Sequence, residues 1–107
     1  MLIRGTTPTI GFHIKTELDL NDVAEIWITF KTRPGIPKVH EKTYTIEDVD
    51  IDAENKVINL FMSQEDTLEF EDVPYEIQIR LRTNDGMAFA SKIIDEPIGR
   101  ILKDGMI

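Results

Sequence analysis

Asp48, Asp50 and Asp52 place acidic side chains at alternate positions, the arrangement with which a calcium-binding loop opens before its carboxylates converge on a hard cation. The pattern goes no further. Where such a loop turns on glycine the chain has Ala53, and where it needs a bidentate glutamate the chain has Asn59. Val49 and Ile51 between the aspartates suit a strand with one acidic face in water, so no metal site is expected. His13 and His40 fall on the polar sides of two different strand patterns, and neither lies beside a nucleophile. Ser63 and Ser91 lack the glycine-flanked elbow that presents a catalytic hydroxyl. Glu69, Glu71 and Asp72 read as a hydrophilic turn rather than an acid–base pair. Neither a phosphate-cradling glycine loop nor a dinucleotide fingerprint occurs. Arg80 and Arg82 alternate with Glu76 and Gln78, without the aromatic interleaving of a single-strand nucleic-acid surface. The expectation is a protein that is not an enzyme, with no catalytic residue, cofactor or metal.

Trp27 stands apart from this bland set. Alternation puts it opposite Ile26, Ile28 and Phe30, on the face that should be wet. A loop folded over the sheet or a shifted register accounts for it structurally. The functional reading is an exposed aromatic anchor for a protein partner or a sugar, with Glu25 and Thr29 as its outward neighbours, and a second copy of the chain is one such partner. Trp27, Glu25 and Thr29 are therefore the expected contact residues, and Trp27 with Tyr44 is the pair a carbohydrate-binding module would use. The segment before Pro8 is a second candidate, as an arm that adds to a partner's sheet.

These residues must be positioned by strands. Tyr75, Ile77, Ile79 and Leu81 alternate with Glu76, Gln78, Arg80 and Arg82, then Asn84-Asp85-Gly86 leads into a second run from Met87 to Ile94, which predicts a hairpin whose Asp-Gly turn supplies positive φ. Ile10, Phe12 and Ile14 define an earlier strand, and Ala24, Ile26, Ile28 and Phe30 the next. Pro34 and Pro37 make the following segment a loop or an edge. Val39 to Ile46 resumes strand character, and a parity change before Val49 and Ile51 calls for a bulge or break near Glu47. The almost continuous apolar run Val57 to Met62 suits a strand covered on both sides or at a sheet corner. Ser63 and Asp66 resemble a capping box opening one helical turn through Leu68, and Ile98 to Leu102 offers a last strand after Pro97.

A chain of 107 residues suffices for one domain, residues 1–107, and a single two-layer core. Hydrophobic content of 41% is that of a globular protein despite a net charge of −8, and the acidic balance disfavours nucleic acid. Without cysteine there are no disulfides, and stability must come from packing. No secretory signal pattern opens the chain, and its longest apolar runs fall far short of the roughly 20 residues of a membrane helix, so a soluble protein with no membrane partner is expected.

Several blocks occur in a telling order: Ile3-Arg4-Gly5-Thr6-Thr7-Pro8-Thr9, Ile26-Trp27-Ile28-Thr29-Phe30, Ser63-Gln64-Glu65-Asp66-Thr67-Leu68, Glu76-Ile77-Gln78-Ile79-Arg80, Thr83-Asn84-Asp85-Gly86 and Ile101-Leu102-Lys103-Asp104-Gly105. Over nearly the whole chain this resembles small phage and prophage tail-region proteins, and the N-terminal β-sandwich module of phage baseplate upper proteins. The resemblance implies a virion structural or assembly role through contacts with other phage structural proteins, in the virion or in the host cytoplasm before assembly, with no catalytic residues to carry over. No receptor-binding or fibre-forming extension accompanies the blocks, so host adhesion would fall to other proteins. The fold expected is an all-β, immunoglobulin-like antiparallel β-sandwich of about seven strands with one short helical turn.

Overall fold

The computed structural model describes residues 1–107. Ten strand segments form: β1 (Leu2–Ile3), β2 (Thr9–His13), β3 (Val23–Thr32), β4 (Glu41–Thr45), β5 (Val49–Asp52), β6 (Val57–Phe61), β7 (Tyr75–Thr83), β8 (Ala88–Ala90), β9 (Ile94–Glu96) and β10 (Ile98–Gly99). One helix, α1 (Gln64–Leu68), and 3-10 turns at Leu20–Asp22 and Ile46–Asp48 complete the chain. The architecture is an all-β sandwich. One antiparallel sheet has the order β2-β6-β5; the other runs β4-β3-β7, with β8 and β9 both pairing β7.

The period-two pattern decides what meets between the sheets. Phe12, Ile58 and Leu60 from the smaller sheet join Ile26, Ile28, Phe30, Tyr44, Ile77, Ile79 and Leu81 from the larger in one core. Each fully buried side chain of this kind contributes roughly 1.5–3 kcal/mol. Opposite residues on β3 and β7 match apolar to apolar, Ile26 with Leu81, Ile28 with Ile79 and Phe30 with Ile77.

Several sequence expectations need correction, each for a local reason. The apolar face of β3 begins at Val23, not Ala24, because the register shifts between Val23 and Glu25. Glu25 stabilises that bulge: its carboxylate accepts the Ile26 N–H at 2.9 Å. The parity change near Glu47 is a change of sheet. The 3-10 turn carries the chain from β4 to β5, and Asp48 accepts the Thr45 N–H at 2.8 Å. Strand β6 is the middle of its sheet with one wet face, on which Phe61 is 52% exposed, rather than a strand covered on both sides.

The hairpin is present, but only Gly86 in its loop takes positive φ, at 88°. Thr83 N–H donates to Met87 O at 2.8 Å, which makes a three-residue loop with glycine in the left-handed position. Asp85 instead receives the Thr83 hydroxyl. The second arm breaks into β8 and β9 because Gln78 and Ile79 face three residues, Ser91 to Ile93. Ser91 repairs the break: its hydroxyl accepts the Ile79 N–H at 3.0 Å, and Gln78 donates to its carbonyl at 3.0 Å.

The segment before Pro8 is not a free arm. β1 lies parallel to β10, and Leu2 is buried. Arg4 reaches the C-terminal end of α1, donating from Nε to Phe70 O at 2.6 Å and from Nη2 to Leu68 O at 2.7 Å. The Leu68 carbonyl is among the orphan acceptors that every helix end leaves, and Phe70 follows just past the cap. Thr67 donates to Thr6 O at 2.7 Å and Gln64 to Gly5 O at 3.1 Å, so α1 and the N-terminal segment hold each other. Ser63 caps α1 as expected, but Asp66 does not complete a capping box; its carboxylate accepts the Tyr44 hydroxyl at 3.2 Å. The last strand ends at Gly99 rather than Leu102.

Replacing Arg4 by Met, which keeps the aliphatic stem, strands the Leu68 and Phe70 carbonyls. We expect a loss of about 2–3 kcal/mol in urea unfolding. An unchanged midpoint would show that water satisfies these groups equally well.

Candidate functional site

The outer face of the larger sheet carries the surface feature that the sequence singled out. Trp27 sits between Thr45 of β4 and Arg80 of β7, and it is 48% exposed, with no loop folded over it. The register is not shifted at this point, since Ile26 and Ile28 on either side are fully buried. The Arg80 guanidinium lies 5.7 Å from the Trp27 ring centroid, a cation–π contact that stiffens both side chains. Beside this pair is an open hollow of about 190 Å³ lined by Glu25, Trp27, Arg80, Arg82, Ala88 and Phe89, with Leu81 at its base. Alanine at 88 leaves that space unfilled.

The three expected contact residues play different parts. Trp27 offers the exposed apolar area. Thr29 is partly buried, and its hydroxyl bonds that of Thr43 at 3.1 Å across the strands. Glu25 borders the hollow, yet the carboxylate oxygen that holds Ile26 also lies 3.4 Å from the Ile46 N–H, so its charge is turned to the backbone. Sequence reading set aside Arg80 and Arg82 as an ordinary wet face. Both are exposed, neither pairs with a carboxylate, and they flank the hollow. Their shared parity on the strand beside Trp27 was the available signal.

Tyr44 is not on this face. It is 3% exposed, points inward, and meets Phe30 edge-on at 5.9 Å. Burial, then the nearby Asp66 charge, raises its pKa far above the ordinary phenol value. Trp27 and Tyr44 therefore do not form a pair of stacking platforms.

The remaining candidates do not come together into one site. His13 is exposed on β2 opposite Val57. His40 Nδ1 lies 2.6 Å from the Tyr75 hydroxyl, which already accepts the Glu71 N–H at 2.9 Å. The hydroxyl's one proton is then free to go to His40, giving a satisfied polar link. Phe70 stacks on Tyr75 at 5.0 Å and closes that end of the core. Neither Ser63 nor Ser91 adjoins a histidine; both are engaged with backbone groups. Asp52 binds the Asn55 N–H at 3.2 Å and its side-chain amide at 2.8 Å, which holds its carboxyl below the usual range. Asp48 is bound to Thr45 in the 3-10 turn while Asp50 and Asp52 lie on β5, and no group of three acidic or histidine side chains converges to hold a metal ion. No helix is long and apolar enough to cross a membrane.

No protein-family model, no curated protein and no solved structure matches the chain.

Tyr44 carries a pH signature. Its folded-state pKa is raised, so its contribution is fully present below the unfolded phenol value, about 10, and is lost as pH rises through the folded value. Stability should decline above about pH 10, and Tyr44→Phe should remove part of that decline. An identical alkaline decline in the variant would mean that Tyr44 ionises freely in the fold.

Proposed function

We propose that the chain is a non-enzymatic structural or assembly module of a phage or prophage tail or baseplate, and that it works through protein–protein contacts made by the outer face of its larger sheet. The observation that carries this reading is Trp27, half-exposed beside a hollow and held by Arg80 on a rigid nine-residue strand. Tryptophan and arginine are the side chains that most often dominate interface energetics, and a rigid platform lowers the ordering cost of binding. The sheet order supports the immunoglobulin-like reading. Taking β2 to β8 as strands B, C, C′, D, E, F and G, B-E-D packs over C′-C-F-G, and β1 runs parallel beside the last strand segment. Sandwiches of this kind serve widely as binding modules, which agrees with the resemblance to baseplate proteins. The partners are other phage structural proteins, in the virion or in the host cytoplasm before assembly. A glycan would need a second stacking platform beside Trp27, and Tyr44 is turned into the core.

The test is co-purification of the chain with the tail proteins encoded beside it, with Trp27→Ala in parallel. The variant should keep its unfolding free energy within about 1 kcal/mol and lose about thirtyfold in affinity for its partner. Retention of the wild-type chain on cell-wall glycans, or full assembly by the variant, would contradict the proposal.

A further inference from the structure

Two edges of the sandwich complement each other. Strand β8 borders the larger sheet with no charged side chain in Ala88–Ala90. Met87 O accepts from Thr83 at 2.8 Å and Ser91 N–H donates to Ile79 O at 2.8 Å, so odd-numbered residues here turn their backbone groups to β7. By alternation, Ala88 and Ala90 turn theirs outward. Strand β5 borders the smaller sheet. Ile14 N–H donates to Lys56 O at 2.9 Å and Met62 N–H to Pro8 O at 3.1 Å, which turns the even-numbered residues of β6 to β2 and the odd-numbered ones to β5. There Asn59 and Val57 face Asp50 and Asp52, so the outward backbone groups of β5 belong to Val49 and Ile51.

We infer that β5 of a second copy adds in parallel to β8 of the first. In a parallel ladder a residue bonds the two neighbours of the residue opposite it. Ala88 opposite Asp50 of the second copy bonds Val49 and Ile51 of that copy, the two residues with free groups; antiparallel addition would set Asp50 and Asp52 on the wrong face. The same register puts Ala90 opposite Asp52 of the second copy. Arg82 and Arg80 stand one strand further in, opposite Ala88 and Ala90. Two strand spacings, about 10 Å, separate each arginine from an aspartate, and the intervening alanines leave the path clear for ion pairs over the sheet. Asp50 has no basic partner within its own chain, and neither arginine has an acidic one. The edge strand β4 lacks this opportunity, since Glu41 and Lys42 pair within the chain at 3.8 and 3.7 Å.

The contact joins two different surfaces, so it propagates head to tail into a ring or filament. It rests on the assembly reading above and names the partner as a second copy. It also leaves Trp27 at the flank of the joint.

Sedimentation of the full chain over a concentration series tests this. The wild type should associate progressively, less so at high salt. Arg82→Gln and Asp50→Asn, at exposed positions, should each keep the wild-type fold by circular dichroism and weaken association about tenfold. An equimolar mixture of the two variants should recover one-to-one pairs, since each keeps one intact edge. A wild type that stays monomeric at millimolar concentration, or variants that associate as it does, would overturn the inference. That result would leave Trp27-dependent capture of other tail proteins standing or falling on its own measurement.

Discussion

The pairing of β3 with β7 constrains everything around it. Along this ladder Ile26, Ile28 and Phe30 meet Leu81, Ile79 and Ile77 in the core, and strict alternation leaves no freedom for the residues between them. A one-residue slip of β3 would turn Ile26, Ile28 and Phe30 into water and carry Trp27 inward. The core therefore fixes the outer face. Trp27 lies beside Arg80, and Arg82 beside the hollow, because their neighbours have to be dry.

Around that ladder, polar side chains close the places where regular pairing stops. Glu25 serves the bulge at the start of β3, Ser91 and Gln78 the break between β8 and β9, and Arg4 the end of α1. No buried side-chain nitrogen or oxygen lacks a partner. Several residues that suggest chemistry in the sequence, Asp48, Ser63 and Ser91 among them, have their donors and acceptors engaged with the backbone in the fold. The exposed guanidinium groups of Arg80 and Arg82 are different, since a sheet face in water places no such demand on them.

The alternating strands were legible because a half-buried sheet writes its geometry directly into the chain at period two. Tyr75 to Thr83 is the clearest case, and at nine residues it is the longest unbroken match between pattern and structure, since β3 is interrupted by its bulge. The bulge at Ala24 was not legible, since alanine suits either face and Val23 is equally apolar. The parity change near Glu47 was visible, but a bulge and a crossing to the other sheet leave the same trace in one sequence. The docking of β1 and the grip of Arg4 on α1 depend on contacts between residues more than sixty positions apart, which period and composition do not encode. At the surface, Trp27 was found because an aromatic broke the expected polarity. Tyr44 misled because its strand sits beside a sheet crossing, and Arg80 was overlooked because arginine on a wet face is ordinary.

What remains distinctive is a rigid aromatic platform on an otherwise acidic domain. Because Trp27 is the chain's single tryptophan, its fluorescence reports on that platform alone. The decisive measurement is the emission spectrum and acrylamide quenching of the isolated chain at a dilution where it is monomeric. Emission close to that of tryptophan in water, with efficient quenching, is what an uncovered contact surface predicts. A blue-shifted band shielded from acrylamide would place the indole inside the domain, and the outer sheet face would lose its claim to be the binding site.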